Sequence, residues 1–323
     1  MVNKRWIPWI LSAGIVAFLA FTTDLAAVGQ ALEEAQWGRL FGFMALVTVA
    51  AYLVDSMTLV VLFRRFVAPV KVSEVLAIKG VSYLLNAINY SLAAGGMAYV
   101  LHKKRDVPFL ETFSSLLWFF FVDIIALATL LSVGFLVGGD ILGGASFVDQ
   151  IPLVLGIIWA IVIGALIYWN LDFDFFVLGR MRDWRIFHTF KLAKLSDYPT
   201  MIVIRMVFVL VYVSMHWLLL PAFGVHIGWD SLLMYAPLIT FVQVIPATVS
   251  GLGAVQGVIV GLFTAHVDPS VNDPQAVIVA YSTVIGPLMM VMRLGIAYLF
   301  MANVTKDLVA TKAEVEAARQ EAT

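Results

Sequence analysis

The 323-residue chain is 62% hydrophobic and 13% charged, with a net charge of −1 and no cysteine. Soluble domains carry charge on roughly a quarter of their residues, so this composition excludes an ordinary soluble domain and indicates an all-α polytopic membrane protein. The balanced charge offers no field for nucleic acid, and the lack of cysteine excludes disulfides, thiol catalysis and thiolate metal sites.

The chain opens MVNKRWIPWILSAGIVAFLAF, charge followed by an apolar run. It lacks a small-residue cleavage site and many apolar runs follow, so residues 6–22 read as the first span and not as a cleaved signal. Further apolar segments lie at 40–63, 112–137, 150–169, 200–221 and 275–303, each near the length that a bilayer core demands. Two more, 73–101 and 231–263, are apolar but rich in Gly, Asn and Ser.

The polar intervals set the topology. The intervals 1–5, 64–71, 102–106 and 170–199 and the tail after 303 hold 16 of the 20 basic residues. The connections 23–39, 138–149, 222–230 and 264–274 hold Arg39 alone, against Asp24, Glu33, Glu34, Asp140, Asp149, Asp230, Asp268 and Asp273. Short basic loops stay in the cytoplasm, so both termini are expected inside a cytoplasmic membrane. On this assignment 73–101 begins and ends inside, and 231–263 begins and ends outside. Each would make about 45 Å of helix, less than two crossings of a core roughly 30 Å thick. Each therefore reads as a re-entrant hairpin.

The resulting order is span, span, hairpin, span, in residues 6–137 and again in 150–303. The first set starts inside and the second outside, an inverted repeat of the kind that transporters use. The expected architecture is about six full spans plus two re-entrant hairpins in one transmembrane domain, 1–303, with a polar helix-prone tail at 304–323. The loop 170–199 mixes cations with Trp184, Phe187 and Phe190. It reads as an ordinary positive-inside loop or as a segment touching anionic headgroups.

Ionisable residues within apolar runs mark candidate sites, because a charge at bilayer depth costs about 2.5–3.5 kcal/mol and usually pairs or lines a pathway. They are Asp55, Asp123, Arg205 and Arg293 in spans and Lys79 in the first hairpin. Asp55 lies close to the end of its span and Arg205 can snorkel, so a structural reading competes there. Two readings fit Asp123 and Arg293: an ion pair with each other, or contact with a polar substrate. The first hairpin adds Asn86 and Asn89, and Gly95 and Gly96 allow a tight turn and close approach.

The second hairpin contains VIPATVSGLGAVQG, residues 244–257. Such a break in lipid survives only where it is buried in protein or lines a wet cavity. Ser250 and Gln256 offer hydrogen bonds, while Gly251 and Gly253 sit where a half-helix begins, whose N–H groups and dipole suit a phosphate. Gly253, Gly257 and Gly261 recur on one helical face and suit close packing. The stretch is neither a dinucleotide fingerprint nor a nucleophile elbow. His102, His188, His216, His226 and His266 show no metal-ligand spacing. No catalytic residue, metal or cofactor is expected, and no polar segment could hold a soluble catalytic domain.

IPATVSGLGAVQG resembles the Pro-x-x-x-x-Gly-Leu-Gly-x-x-Glu stretch of the flippase-like transmembrane region of lysylphosphatidylglycerol synthases. GVSYLLNAINYSLAAGGMAYVL resembles that family's Asn-containing segment with its Gly-Gly pair, and Arg205 opens a span as the family's arginine does. The likeness covers about 40–303. Two positions depart from it: Gln256 replaces an acid, and Met97 and Ala98 replace polar groups near the first Gly-Gly. The resemblance implies a lipid flippase without lysyl-lipid synthesis. The expected substrate is a lipid with an anionic or phosphate-bearing headgroup, met by Lys79, Asn86, Asn89, Asp123, Arg205, Ser250, Gly251, Gly253, Gln256 and Arg293. The alternatives are a non-transporting membrane partner of a lipid- or glycan-modifying enzyme, a small-solute secondary transporter, and a lipid transferase. A homo-oligomer or an enzyme partner fits the first of these.

Overall fold

The computed structural model describes residues 7–87, 90–138, 151–170, 182–244 and 253–321. Helices dominate, and no strand occurs among the described residues. In chain order they are α1 (Ile7–Thr22), α2 (Leu25–Glu34), α3 (Trp37–Phe66), α4 (Val72–Asn86), α5 (Tyr90–Arg105), α6 (Phe109–Gly138) and α7 (Ile151–Asn170). Then come α8 (His188–Leu192), α9 (Tyr198–Leu219), α10 (Trp229–Val244), α11 (Ala254–Phe263) and α12 (Pro274–Glu321). Among the described residues, α3, α6, α7, α9 and α12 contain stretches long and apolar enough to cross a membrane. The protein is thus an all-α polytopic membrane protein.

The first apolar run differs in detail from expectation. α1 ends at Thr22, and the chain turns by 88° into α2. Asp24 sets the turn: its carboxylate accepts the Ala26 N–H at 2.8 Å and caps α2, satisfying a donor that has no intrahelical partner. Much of the connection 23–39 is therefore helical. At the other end, α12 continues as one helix from its apolar part into the polar tail. Its 48 residues, with Pro287 inside the helix, correspond to about 72 Å measured along the helix, far longer than a bilayer core is thick.

The chain forms two compact units. The first comprises Met1–Val49, Ala126–Ile158 and Met206–Met290; the second comprises Ala50–Ile125, Trp159–Arg205 and Val291–Thr323. All Lys and Arg residues except Lys4, Arg5 and Arg39 fall in the second.

In the first unit, α10 packs on α11 and α11 on α1. Their end is fastened where the Tyr235 hydroxyl meets His266 Nε2 at 3.1 Å. His216 is a satisfied core histidine: its Nδ1 shares a 2.7 Å hydrogen bond with the Tyr281 hydroxyl, beside the rings of Phe263 and Phe223. The helix α6 passes very near α10, because a Cβ on Gly134 would stand 2.6 Å from the Leu233 carbonyl and the Met234 nitrogen. The glycine stripe on α11 behaves differently from expectation. A Cβ on Gly257 would meet Ile15 at an ordinary 3.7 Å, and one on Gly261 would meet nothing within 4 Å. Close packing in this unit falls on Gly134 instead.

In the second unit, α4 and α5 pack side by side as a hairpin. Arg105 at the end of α5 donates to Glu74 at the start of α4 at 2.6 Å, so the hairpin begins and ends at one place. Its arms have 15 and 16 residues, about 22 and 24 Å, each short of a bilayer core of roughly 30 Å. α4 ends at Asn86 and α5 starts at Tyr90. Gly95 and Gly96 lie within α5 and not in the turn. Gly96 serves the close approach: a Cβ there would collide with the Leu85 side chain. Phe187 and Phe190 of the basic loop turn inward onto Trp169, with ring centroids 5.4 and 5.2 Å away. Trp184 stays 55% exposed.

Candidate functional site

Four charges meet inside the second unit. Asp55 comes from α3, Lys79 from α4, Asp123 from α6 and Arg205 from α9. Asp55 forms ion pairs with Lys79 and with Arg205, the latter at 2.6 Å. Arg205 also donates through Nε to Asp123. Arg205, Asp55 and Lys79 are buried, at 2, 5 and 8% exposure. Two anions and two cations make the quartet neutral when all are charged, which is how a low-dielectric site tolerates them. Aromatic faces complete the surroundings. The Arg205 guanidinium lies 4.5 Å from the Phe119 ring centroid, and Lys79 Nζ lies 5.2 Å from that of Tyr83. Such faces attract cations through the ring quadrupole.

Arg293 of α12 also reaches the Tyr83 ring, at 5.4 Å. Two cations thus converge on one tyrosine. The partner of Asp123 is Arg205, in place of the Arg293 pairing considered from sequence. Asp55, read from sequence as close to the end of its span, is the centre of the quartet. The sequence shows the in-membrane charges, Lys79, Asp123, Arg205 and Arg293, but not which of them meet Asp55.

Beside the quartet lies a cavity of about 10 Å³, room for a single water molecule. Lys79, Ser82 and Asn86 of α4 give it a polar wall, and Leu59, Phe119 and Phe120 enclose it. Met97 of α5 also lines it. Lys79 therefore touches both the quartet and the cavity, and Phe119 lies between the cavity and Arg205. The spacing along α4 explains the wall, since residues 79, 82 and 86 are three and four apart and share a helix face.

The second hairpin gives a local result. Gly253 has φ +82°, a backbone conformation open to glycine. Its N–H donates to the Gln256 side-chain oxygen at 2.7 Å. Gln256 thus caps the start of α11, and the Gly253 N–H expected to face a phosphate is held internally. The same capping geometry is open to glutamate, so the glutamine changes charge at this point without losing the cap. Asn89, Ser250 and Gly251 lie outside the described residues. The structure brings Lys79, Asn86, Asp123, Arg205 and Arg293 into one region of the second unit, while Gly253 and Gln256 belong to the first.

The sequence profile of the lysylphosphatidylglycerol synthase transmembrane region matches residues 6–301. No curated protein matches the chain. The matched stretch contains every ionisable residue of the quartet and both pairs of short helices. The chain belongs to the lysylphosphatidylglycerol synthase transmembrane-region family.

Proposed function

We propose that the protein moves a lipid with an anionic, phosphate-bearing headgroup between the leaflets of the cytoplasmic membrane, without covalent chemistry. The observation that carries this reading is the polar cavity wall of Lys79, Ser82 and Asn86 set within apolar helices. Polar groups at bilayer depth are costly and mark substrate pathways. A small convergent polar set in an apolar pocket is also how ligand sites fix orientation.

In this reading Lys79 and Arg293 attract the phosphate, Asn86 reads the headgroup, and the acyl chains stay in lipid. Arg205 and Asp55 position Lys79. The narrow cavity corresponds to one of two states and widens for the headgroup. The two short-helix pairs act as re-entrant hairpins, related as an inverted repeat, and their rearrangement alternates access. Lys4 and Arg5 before the first helix, and the basic residues of 64–71, 102–106, 170–199 and the tail, favour a cytoplasmic location for those loops and for both termini. A second reading, a non-transporting partner of a lipid-modifying enzyme, is favoured by the buried apolar Met97 and Ala98 of α5, where family members carry polar groups.

The test is headgroup accessibility in proteoliposomes. The full chain is reconstituted with fluorescent phosphatidylglycerol or phosphatidylcholine, and dithionite is added outside. Wild-type protein is expected to let bleaching proceed beyond the outer-leaflet share, most for phosphatidylglycerol. Arg293→Ala is expected to stop at that share while eluting as folded protein. Wild-type vesicles that match empty ones for every headgroup would refute lipid movement and leave the partner reading, for which the next measurement is co-purification of an enzyme activity.

A further inference from the structure

We propose that Asp123 binds a proton, and that this proton and the anionic headgroup enter together; the inference rests on the lipid reading for the identity of the anion alone. The two carboxylates of the quartet are not equivalent. Among the described residues, Asp55 of α3 faces two cations, Lys79 of α4 and Arg205 of α9, whereas Asp123 of α6 faces Arg205. The Asp123 side chain is 15% exposed and that of Asp55 is 8% exposed. Arg293 of α12 lies over the Tyr83 ring that Lys79 also meets. Two acids in unlike surroundings divide into one that stays ionised and one that exchanges protons.

The step is simple to balance. A proton from water adds to a carboxylate oxygen of Asp123, and the carboxylate loses its negative charge. Arg205 keeps its own charge and its bond to Asp55. The quartet passes from neutral to a net single positive charge. That charge arises beside the cavity that Lys79 lines, in surroundings of low dielectric where it acts strongly on an anion. An anionic headgroup in the cavity restores neutrality. Each ligand therefore raises the affinity for the other, and the coupling is reciprocal.

A mechanical link runs through the same residues. Phe119 and Asp123 are four apart on α6 and share a face. Arg205 bonds to one and lies over the ring of the other. Weakening the Arg205–Asp123 bond loosens α6 against α9 one turn from Phe119, which walls the cavity. Protonation thereby supplies both the charge and the freedom that a headgroup needs.

The experiment uses the full chain in detergent micelles and two readouts. Infrared difference spectra from about pH 9 to about pH 4, a range around ordinary carboxyl titration, are read in the region of unsolvated carboxyls, apart from the exposed acids, where they detect a buried protonated carboxyl. Calorimetry with water-soluble short-chain phosphatidylglycerol, in two buffers of different ionisation enthalpy, counts protons taken up on binding. Wild type is expected to show a titrating carboxyl band and uptake of a proton. Lowering pH through that band should tighten binding by about 5-fold or more, within the usual range of coupling. Asp123→Asn should lose the band and the uptake, and Asp123→Glu should shift the band without abolishing it, which keeps the test valid if the amide variant does not fold. A band that titrates and is lost in Asp123→Asn, with no binding of any anionic probe, supports the proton site and removes the lipid reading. Phosphatidylglycerol binding without proton uptake, or a wild-type protein with no titrating band, overturns the proton proposal and leaves the lipid reading standing.

Discussion

Replacing Asp55 by Asn tests the quartet most directly. The substitution preserves shape and removes the anion that holds Lys79 and Arg205, whose exposures are 8 and 2%. Asp123 then faces two buried cations alone. Removing one partner of a buried ion pair typically costs about 3–5 kcal/mol, because the survivor is stranded. Lys79→Met strands charge of the opposite sign and should also destabilise, although Asp55 keeps its 2.6 Å bond to Arg205. The double variant leaves the neutral Arg205–Asp123 pair. Its destabilisation should fall short of the sum of the single effects by about 2–3 kcal/mol, the upper range for groups that share a network. The assay is reversible unfolding in mixed micelles as the sodium dodecyl sulfate fraction rises, followed by tryptophan fluorescence. Additivity to within about 0.5 kcal/mol would refute the neutral quartet as the organising feature of this unit.

Gly134→Ala should destabilise by about 1–3 kcal/mol, the usual cost of overpacking, since its Cβ would press on the Leu233 backbone. Gly261→Ala, which meets nothing within 4 Å, should be neutral or gain up to about 1 kcal/mol from helix propensity; thermal unfolding of the two variants side by side decides it. Gln256→Leu should cost about 1 kcal/mol through the lost cap, and Gln256→Glu should cost much less. Amide hydrogen exchange at 253–257 reports that loss locally, and unchanged exchange in the leucine variant would contradict the cap.

Much of the architecture was legible from hydropathy, because lipid admits few alternatives to a satisfied helix. The spans and the two short-helix segments fell where the apolar runs indicated. The bend at Asp24 was not legible, since α2 lies in a polar interval whose helicity depends on one cap. The positions of Lys79, Asp123 and Arg205 as in-membrane charges could be read from composition alone. Their pairing could not, because it depends on how four helices pack and not on spacing within any one of them. The glycines show the same limit. A four-residue stripe on α11 suggested close packing, yet the tight crossing is at Gly134, whose sequence surroundings carry no special mark.

The quartet also bears on how the chain is made. Its members lie on four helices that leave the ribosome in the order Asp55, Lys79, Asp123, Arg205. Asp55 and Lys79 can neutralise each other once α4 has entered the membrane. Asp123 follows on α6 and, until α9 is synthesised some 80 residues later, faces the membrane without the arginine that bonds it in the finished fold. Each such unmatched charge costs about 2.5–3.5 kcal/mol to insert. That cost weighs against a settled α6 until α9 arrives, and Arg205 is the residue that completes the quartet. A fragment ending before α9 should be degraded far faster in cells than one ending after it, and Asp123→Asn in the shorter fragment should extend its lifetime in a pulse–chase measurement.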